Sequence, residues 1–189
     1  MTEDESGLLE ELNRAVLRGD VEQLRASSQQ IEGLVFDRGA FADDLFGALL
    51  RSVESAPYAK MADGLLLLKI FEYNLDLLSP TQKKDLASSL GSYVPRALDA
   101  VSAFLAIELI AEIWKDRRSA DAIIAVKERA ISDETLALVA HGFDWLAKRT
   151  SDGLVRQECV QELEALSRHS SPEVMAEAQS ALTRLMRKG

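Results

Sequence analysis

One cysteine, Cys159, leaves no partner for an intrachain disulfide, which excludes a small scaffold held by bridges and fits a reducing compartment. The two histidines, His141 and His169, stand in neither His-x-x-x-His nor Glu-x-x-His spacing, so zinc-protease and di-iron carboxylate centres lack their ligands. Gly-rich phosphate loops, nucleophile elbows and cofactor fingerprints are missing as well, and no cofactor is expected. Strand-like alternation is absent and β-branched residues are thin, so no sheet is expected. The most apolar stretch, Ala97 to Trp114, is interrupted by Asp99, Glu108 and Glu112, which disfavours a membrane span. The first residues, Met-Thr-Glu-Asp-Glu-Ser, are acidic where a secretory signal is basic. The expectation is a soluble, cytoplasmic protein.

What is present is a folding composition: 47% hydrophobic and 28% charged residues, far from the apolar-poor signature of disorder. The net charge of −9 is concentrated. Residues 1–63 hold 13 acids and 6 bases, a net of −7, and each remaining third is −1. Such a chain repels phosphate backbones, so direct nucleic-acid binding is not expected. The acidic third could attract a basic protein partner, but solubility is the plainer reading.

Apolar residues recur every three or four positions nearly throughout, the period of an amphipathic helix. Ten helices are expected. The first covers about 5–18, with Leu8, Leu9, Leu12 and Val16 on one face. Gly19 stops it and Asp20 caps the second, about 21–34, which buries Val21, Leu24, Ile31 and Leu34. The third covers about 39–54. The fourth, opened by Pro57 and reaching about residue 78, contains Leu65 to Leu68, Ile70 and Phe71, and calls for neighbours on both flanks. Ser79-Pro80-Thr81-Gln82 reads as a capping box before a fifth helix, about 80–93. The sixth, about 95–116, buries Leu98, Val101, Leu105, Leu109, Ile110 and Ile113. The seventh is about 119–130, and Ser132 caps the eighth, about 133–149. Two more follow over 151–187. Paired in order, these make five hairpins of roughly 31 to 42 residues with short loops, the unit size of helical repeat arrays. No linker divides the chain, so 1–189 is expected to be a single domain.

The last hairpin carries a more specific pattern. Asp152 near a helix start, Val155-Arg156, the small Cys159, then Leu163 and Leu166, are followed by Ala178, Ala181-Leu182 and Leu185. This resembles a HEAT-repeat unit. The resemblance covers about a fifth of the chain, and Val-Arg does not recur in the earlier hairpins. It implies an all-α, right-handed α-solenoid of about five antiparallel hairpins, in which the Asp and Arg hydrogen-bond between successive units; a closed multi-helix bundle is the alternative.

Solenoids hold partners along their surfaces. Tyr73, Trp114 and Trp145 each fall near the end of the second helix of successive hairpins, the side that lines a HEAT-like concave face. They read either as an in-register protein-binding strip or as packing between units. Cys159 and His169 would make a nucleophile pair if folded together, but Cys159 sits where the repeat buries a small residue. His141, beside Gly142, reads as a half-buried polar group at a close helix crossing. Glu108 and Glu112 share a face and read, with Lys115 and Asp116, as a solvated stripe. Arg117-Arg118 read as cations at a helix end, where the macrodipole favours them. The functional expectation is a non-catalytic protein–protein adaptor or scaffold. The alternatives are a small acidic inhibitor or immunity-type protein neutralising a basic partner, and an enzyme on a helical scaffold.

Overall fold

The structure, a computed structural model, describes residues 3–55, 65–97 and 99–187. Among these residues it is all-helical with no strand. The helices are α1 (Glu3–Arg18), α2 (Val21–Arg38), α3 (Asp43–Glu54), α4 (Leu65–Tyr73), α5 (Pro80–Tyr93), α6 (Ala100–Trp114), α7 (Arg117–Arg129), α8 (Asp133–Arg149), α9 (Gly153–Leu166) and α10 (Pro172–Met186). The chain gathers into two compact units, Met1–Ser89 with Arg96–Ser102, and Leu90–Pro95 with Ala103–Gly189.

Punctuation residues act as their chemistry requires. Gly19 (φ 67°) takes the left-handed turn after α1, and the Asp20 carboxylate accepts from the Gln23 N–H at the start of α2. The capping box at α5 is reciprocal: the Gln82 N–H donates to Ser79 Oγ (3.2 Å), and the Ser79 N–H donates to Gln82 Oε1 (2.9 Å). Ser132 and Asp152 accept N–H bonds at the starts of α8 and α9.

In the first unit α1 packs on α2 and α3, and α4 packs on both α2 and α3. Leu12, Leu24, Ile31, Leu49, Val53, Leu67 and Leu68 are sealed between them. Phe41, Phe46 and Phe71 form a three-ring cluster with centroids 5.9–6.0 Å apart. Ser52 Oγ on α3 donates to Asn13 Oδ1 on α1, and Gln82 Nε2 donates to Phe41 O and Asp43 Oδ1 at the start of α3.

In the second unit α8 packs on α7, α9 and α10, and α7 touches α9. Salt bridges Arg117–Glu158 and Lys127–Glu162 join α7 to α9. Gly142 of α8 lies against α6: a Cβ there would stand 2.6 Å from Ile107 Cγ1. The pairs Glu108–His141 and Glu112–Trp145 are both 33 residues apart, so α6 and α8 run side by side in the same direction.

Several expectations are corrected. α2 continues to Arg38, ending at the left-handed Gly39 (φ 64°), and it buries Val35 while Val21 and Leu34 are only half-buried. Phe41 is core but precedes α3, which starts at Asp43. α6 is shorter than expected because Val94–Arg96 turn as a 3-10 helix around Pro95, and Val101 is 60% exposed rather than buried. α4 ends at Tyr73, followed by a 3-10 turn over Leu75–Leu77. The expected helix start at Pro57 and the core position Leu98 lie outside the described residues.

Candidate functional site

The densest polar and aromatic grouping lies where α6 and α8 run alongside each other. Glu108, one turn before Glu112 on α6, holds its Oε1 2.8 Å from His141 Nε2 and accepts when that nitrogen carries the ring proton. Glu112 Oε1 accepts from Trp145 Nε1 (2.8 Å) and from Arg149 Nε (3.1 Å), while its Oε2 pairs with Lys115 (2.9 Å). The Arg149 guanidinium stands 4.8 Å from the Trp145 ring centre, on the side the quadrupole makes attractive. Phe104 meets the His141 ring edge-on at 4.7 Å, and His141 lies 6.1 Å from Trp145. Glu108 and Glu112 therefore do more than wet the surface of α6. They are about three-quarters covered and tie α6 to α8.

This arrangement fixes the rotamer of a partly exposed tryptophan. The indole N–H is satisfied inside the protein and a cation covers part of the ring, so its remaining edge is presented without loss of side-chain freedom on contact. Phe104, 39% exposed, extends the same surface. Carboxylates 108 and 112 each have a basic or N–H partner, which makes the strip an electrostatically closed surface.

The three aromatic residues expected as a strip have different surroundings. Tyr73 belongs to the first unit, is 66% exposed, and has Lys69 at 5.4 Å from its ring centre. Trp114 ends α6 and is faced by Arg118 at 5.2 Å. Trp145 belongs to the α6–α8 grouping. Sequence reasoning missed Phe104 and the role of Glu112. The signal was the matched spacing of 108/112 on one helix and 141/145/149 on another, which only helix adjacency turns into contacts.

Cys159 is fully buried, and burial, followed by Glu158, pushes its thiol up to about 12. Such a thiol is a packing group at neutral pH. His169 Nδ1 accepts from the Ser171 N–H at 3.1 Å, closing the turn before α10, where the Ser171 side chain makes no cap bond. Arg117 and Arg118 open α7, at the end where the macrodipole disfavours cations. Asp121 and Glu158 offset Arg117, and Asp116, the α7 cap, offsets Arg118 and is itself held below the usual carboxylate range by it.

Within the hairpin that resembles a HEAT unit, Asp152 caps its own helix, whereas Arg156 reaches back to the end of α8 and donates to Ala147 O (3.0 Å) and Thr150 O (3.4 Å). Asp144, 2% exposed on α8, accepts from Lys148 (2.6 Å) and from Arg184 of α10 (2.9 Å). Among the described residues no group of three or more His, Cys, Asp or Glu is placed to hold a metal ion, and no helix is long and apolar enough to cross a membrane. No family model, no curated protein and no solved structure matches the chain.

Proposed function

We propose that the chain is a short HEAT-like α-solenoid serving as a protein-binding adaptor or scaffold, without catalysis. Alternate-helix packing supports the architectural part. In the second unit the second helices of successive hairpins pair, α6 with α8 and α8 with α10, and the first helices α7 and α9 pair through two salt bridges. In the first unit α1 meets α3 and α2 meets α4. The linking contacts join residues 33 to 41 apart, one hairpin along the chain. Stacked hairpins have this order.

The observation that carries the docking role is Trp145, clamped by Glu112 and Arg149 and continued by Phe104 on a surface that remains partly open. Rigid, half-exposed aromatics are the anchors that protein interfaces favour. The buried Cys159 thiol, held protonated by its raised pKa, argues against the nucleophile alternative.

Partner capture from the native cells by the tagged protein, repeated with Phe104→Ala and Trp145→Phe, tests the role. The expected result is loss of the captured protein with an unchanged unfolding midpoint. Undiminished capture by both variants overturns the strip. For the architecture, removal of residues 151–189 is expected to leave a cooperatively folded remainder, because stacked units depend on their neighbours only; a collapsed remainder overturns it.

A further inference from the structure

Two helices of the first unit each carry a glycine that nothing among the described residues requires. Gly7 in α1 and Gly33 in α2 are exposed, and a Cβ added at either would meet no atom within 4 Å. Neither has a positive φ. Inside a helix, glycine is disfavoured against alanine by roughly two- to fivefold in the folding equilibrium. The fold alone therefore favours alanine at both places. By contrast, Gly19 and Gly39 are needed for their left-handed turns and Gly142 for the close approach of Ile107.

Both idle glycines line one groove. It runs between α1 and α2, holds about 670 Å³, and is walled by Leu8, Leu34, Glu11, Gln30 and Asp37 around Gly7 and Gly33. The charged side chains in this lining are both acidic. Glu11 receives a single long bond from the neutral Gln23 (3.4 Å), and neither acid pairs with a cation among the described residues. The groove sits in the third of the chain that carries −7. Phe36, three residues beyond Gly33 on α2, is 78% exposed.

We propose that this groove seats a basic amphipathic helix of a partner protein. The glycines remove two Cβ atoms so that the incoming backbone approaches closely. Leu8 and Leu34 meet its apolar face, and Glu11 and Asp37 take lysines or arginines flanking that face. This rests on the protein-binding reading and adds the partner's chemistry at a groove of the first unit, whereas Trp145 belongs to the second.

The probe is a synthetic helical peptide of alanine, leucine and lysine, with a small apolar face bordered by lysines. Its binding to the full chain is followed by fluorescence anisotropy at low and high salt. A second peptide with glutamate for lysine is the control. Wild type is expected to bind the lysine peptide in a salt-sensitive manner and to ignore the glutamate peptide. The Gly7→Ala/Gly33→Ala double variant is expected to melt a few degrees higher yet bind at least tenfold more weakly, and Glu11→Gln/Asp37→Asn to bind more weakly with a flatter salt dependence. Absence of binding by wild type, equal binding by the alanine variant, or a lowered melting temperature on introducing alanine overturns the groove. Trp145→Phe is expected to bind the peptide as wild type does. Loss of peptide binding with persistent Trp145-dependent capture removes the groove alone, and the reverse pattern removes the aromatic strip alone.

Discussion

Gly142 and Ile107 face each other across the α6–α8 contact with no room for a β-carbon: one built at Gly142 would stand 2.6 Å from Ile107 Cγ1. Ile107 is fully buried and β-branched, so it has no cheap rotamer with which to withdraw. Overpacking of this kind costs about 1–3 kcal/mol. Alanine's better helix propensity returns roughly 1 kcal/mol. Gly142→Ala is therefore expected to lower stability by up to about 2 kcal/mol in urea unfolding, with the Glu108–His141 and Glu112–Trp145 bonds strained alongside.

Gln82 is the most heavily used cap residue described. Its side chain accepts from the Ser79 N–H and donates to Phe41 O and Asp43 Oδ1, joining the start of α5 to the start of α3 while only 5% exposed. Gln82→Ala leaves the buried Phe41 carbonyl without this donor and the Ser79 N–H without its acceptor, while Ser79 Oγ still accepts from the residue-82 N–H. A loss of about 2 kcal/mol is expected. Ser79→Ala, which removes only the local half of the box, should cost about 1 kcal/mol. Equal effects from the two substitutions would show that the reach to Phe41 and Asp43 contributes nothing.

The capping box, the Gly19-Asp20 turn and the Ser132 and Asp152 caps were legible because each is a local device, complete within four residues. The all-helical class of the described residues was legible from the period. The Glu112–Trp145 clamp was not, since a carboxylate's role depends on which helix lies beside it, and the 33-residue offset becomes visible only once α6 and α8 are adjacent. Val101 was misjudged because a uniformly apolar helix gives no phase to say which side faces water. Arg117 and Arg118 were assigned to the end of one helix when they begin the next. A two-residue turn, with Lys115 at φ 56° and Asp116 as cap, separates the two.

Asp144 gave no sequence signal, yet it joins α8 to α10 through Lys148 and Arg184 from an almost fully buried position. Removing it with Asp144→Ala strands two cations that are 23% and 40% exposed and able to turn to water. The expected loss is therefore about 1–3 kcal/mol rather than the larger penalty of a sealed charge. A double-mutant cycle with Arg184→Met should return a coupling of about 1 kcal/mol or more. Strict additivity would show that the 2.9 Å pair does not bind α10 to α8.

Cys159 links the core to pH. Its folded thiol is raised from the ordinary 9.0 to about 12, first by burial and then by Glu158. Below pH 9 both the folded and unfolded thiols hold their proton, and the folded state has its full stability. Between pH 9 and about 12 the unfolded chain ionises while the folded chain does not, so the unfolded state gains and stability falls. The loss from this group is on the order of a few kcal/mol across that window. Cys159→Ala is expected to lower stability modestly at pH 7 through lost packing, yet to flatten the decline between pH 9 and 11 measured by urea unfolding. In the wild type at pH 8, a thiol reagent should label Cys159 only as fast as the core opens, and at once in urea. Rapid labelling of the folded protein would place the sulfur at the surface and return the nucleophile reading to consideration.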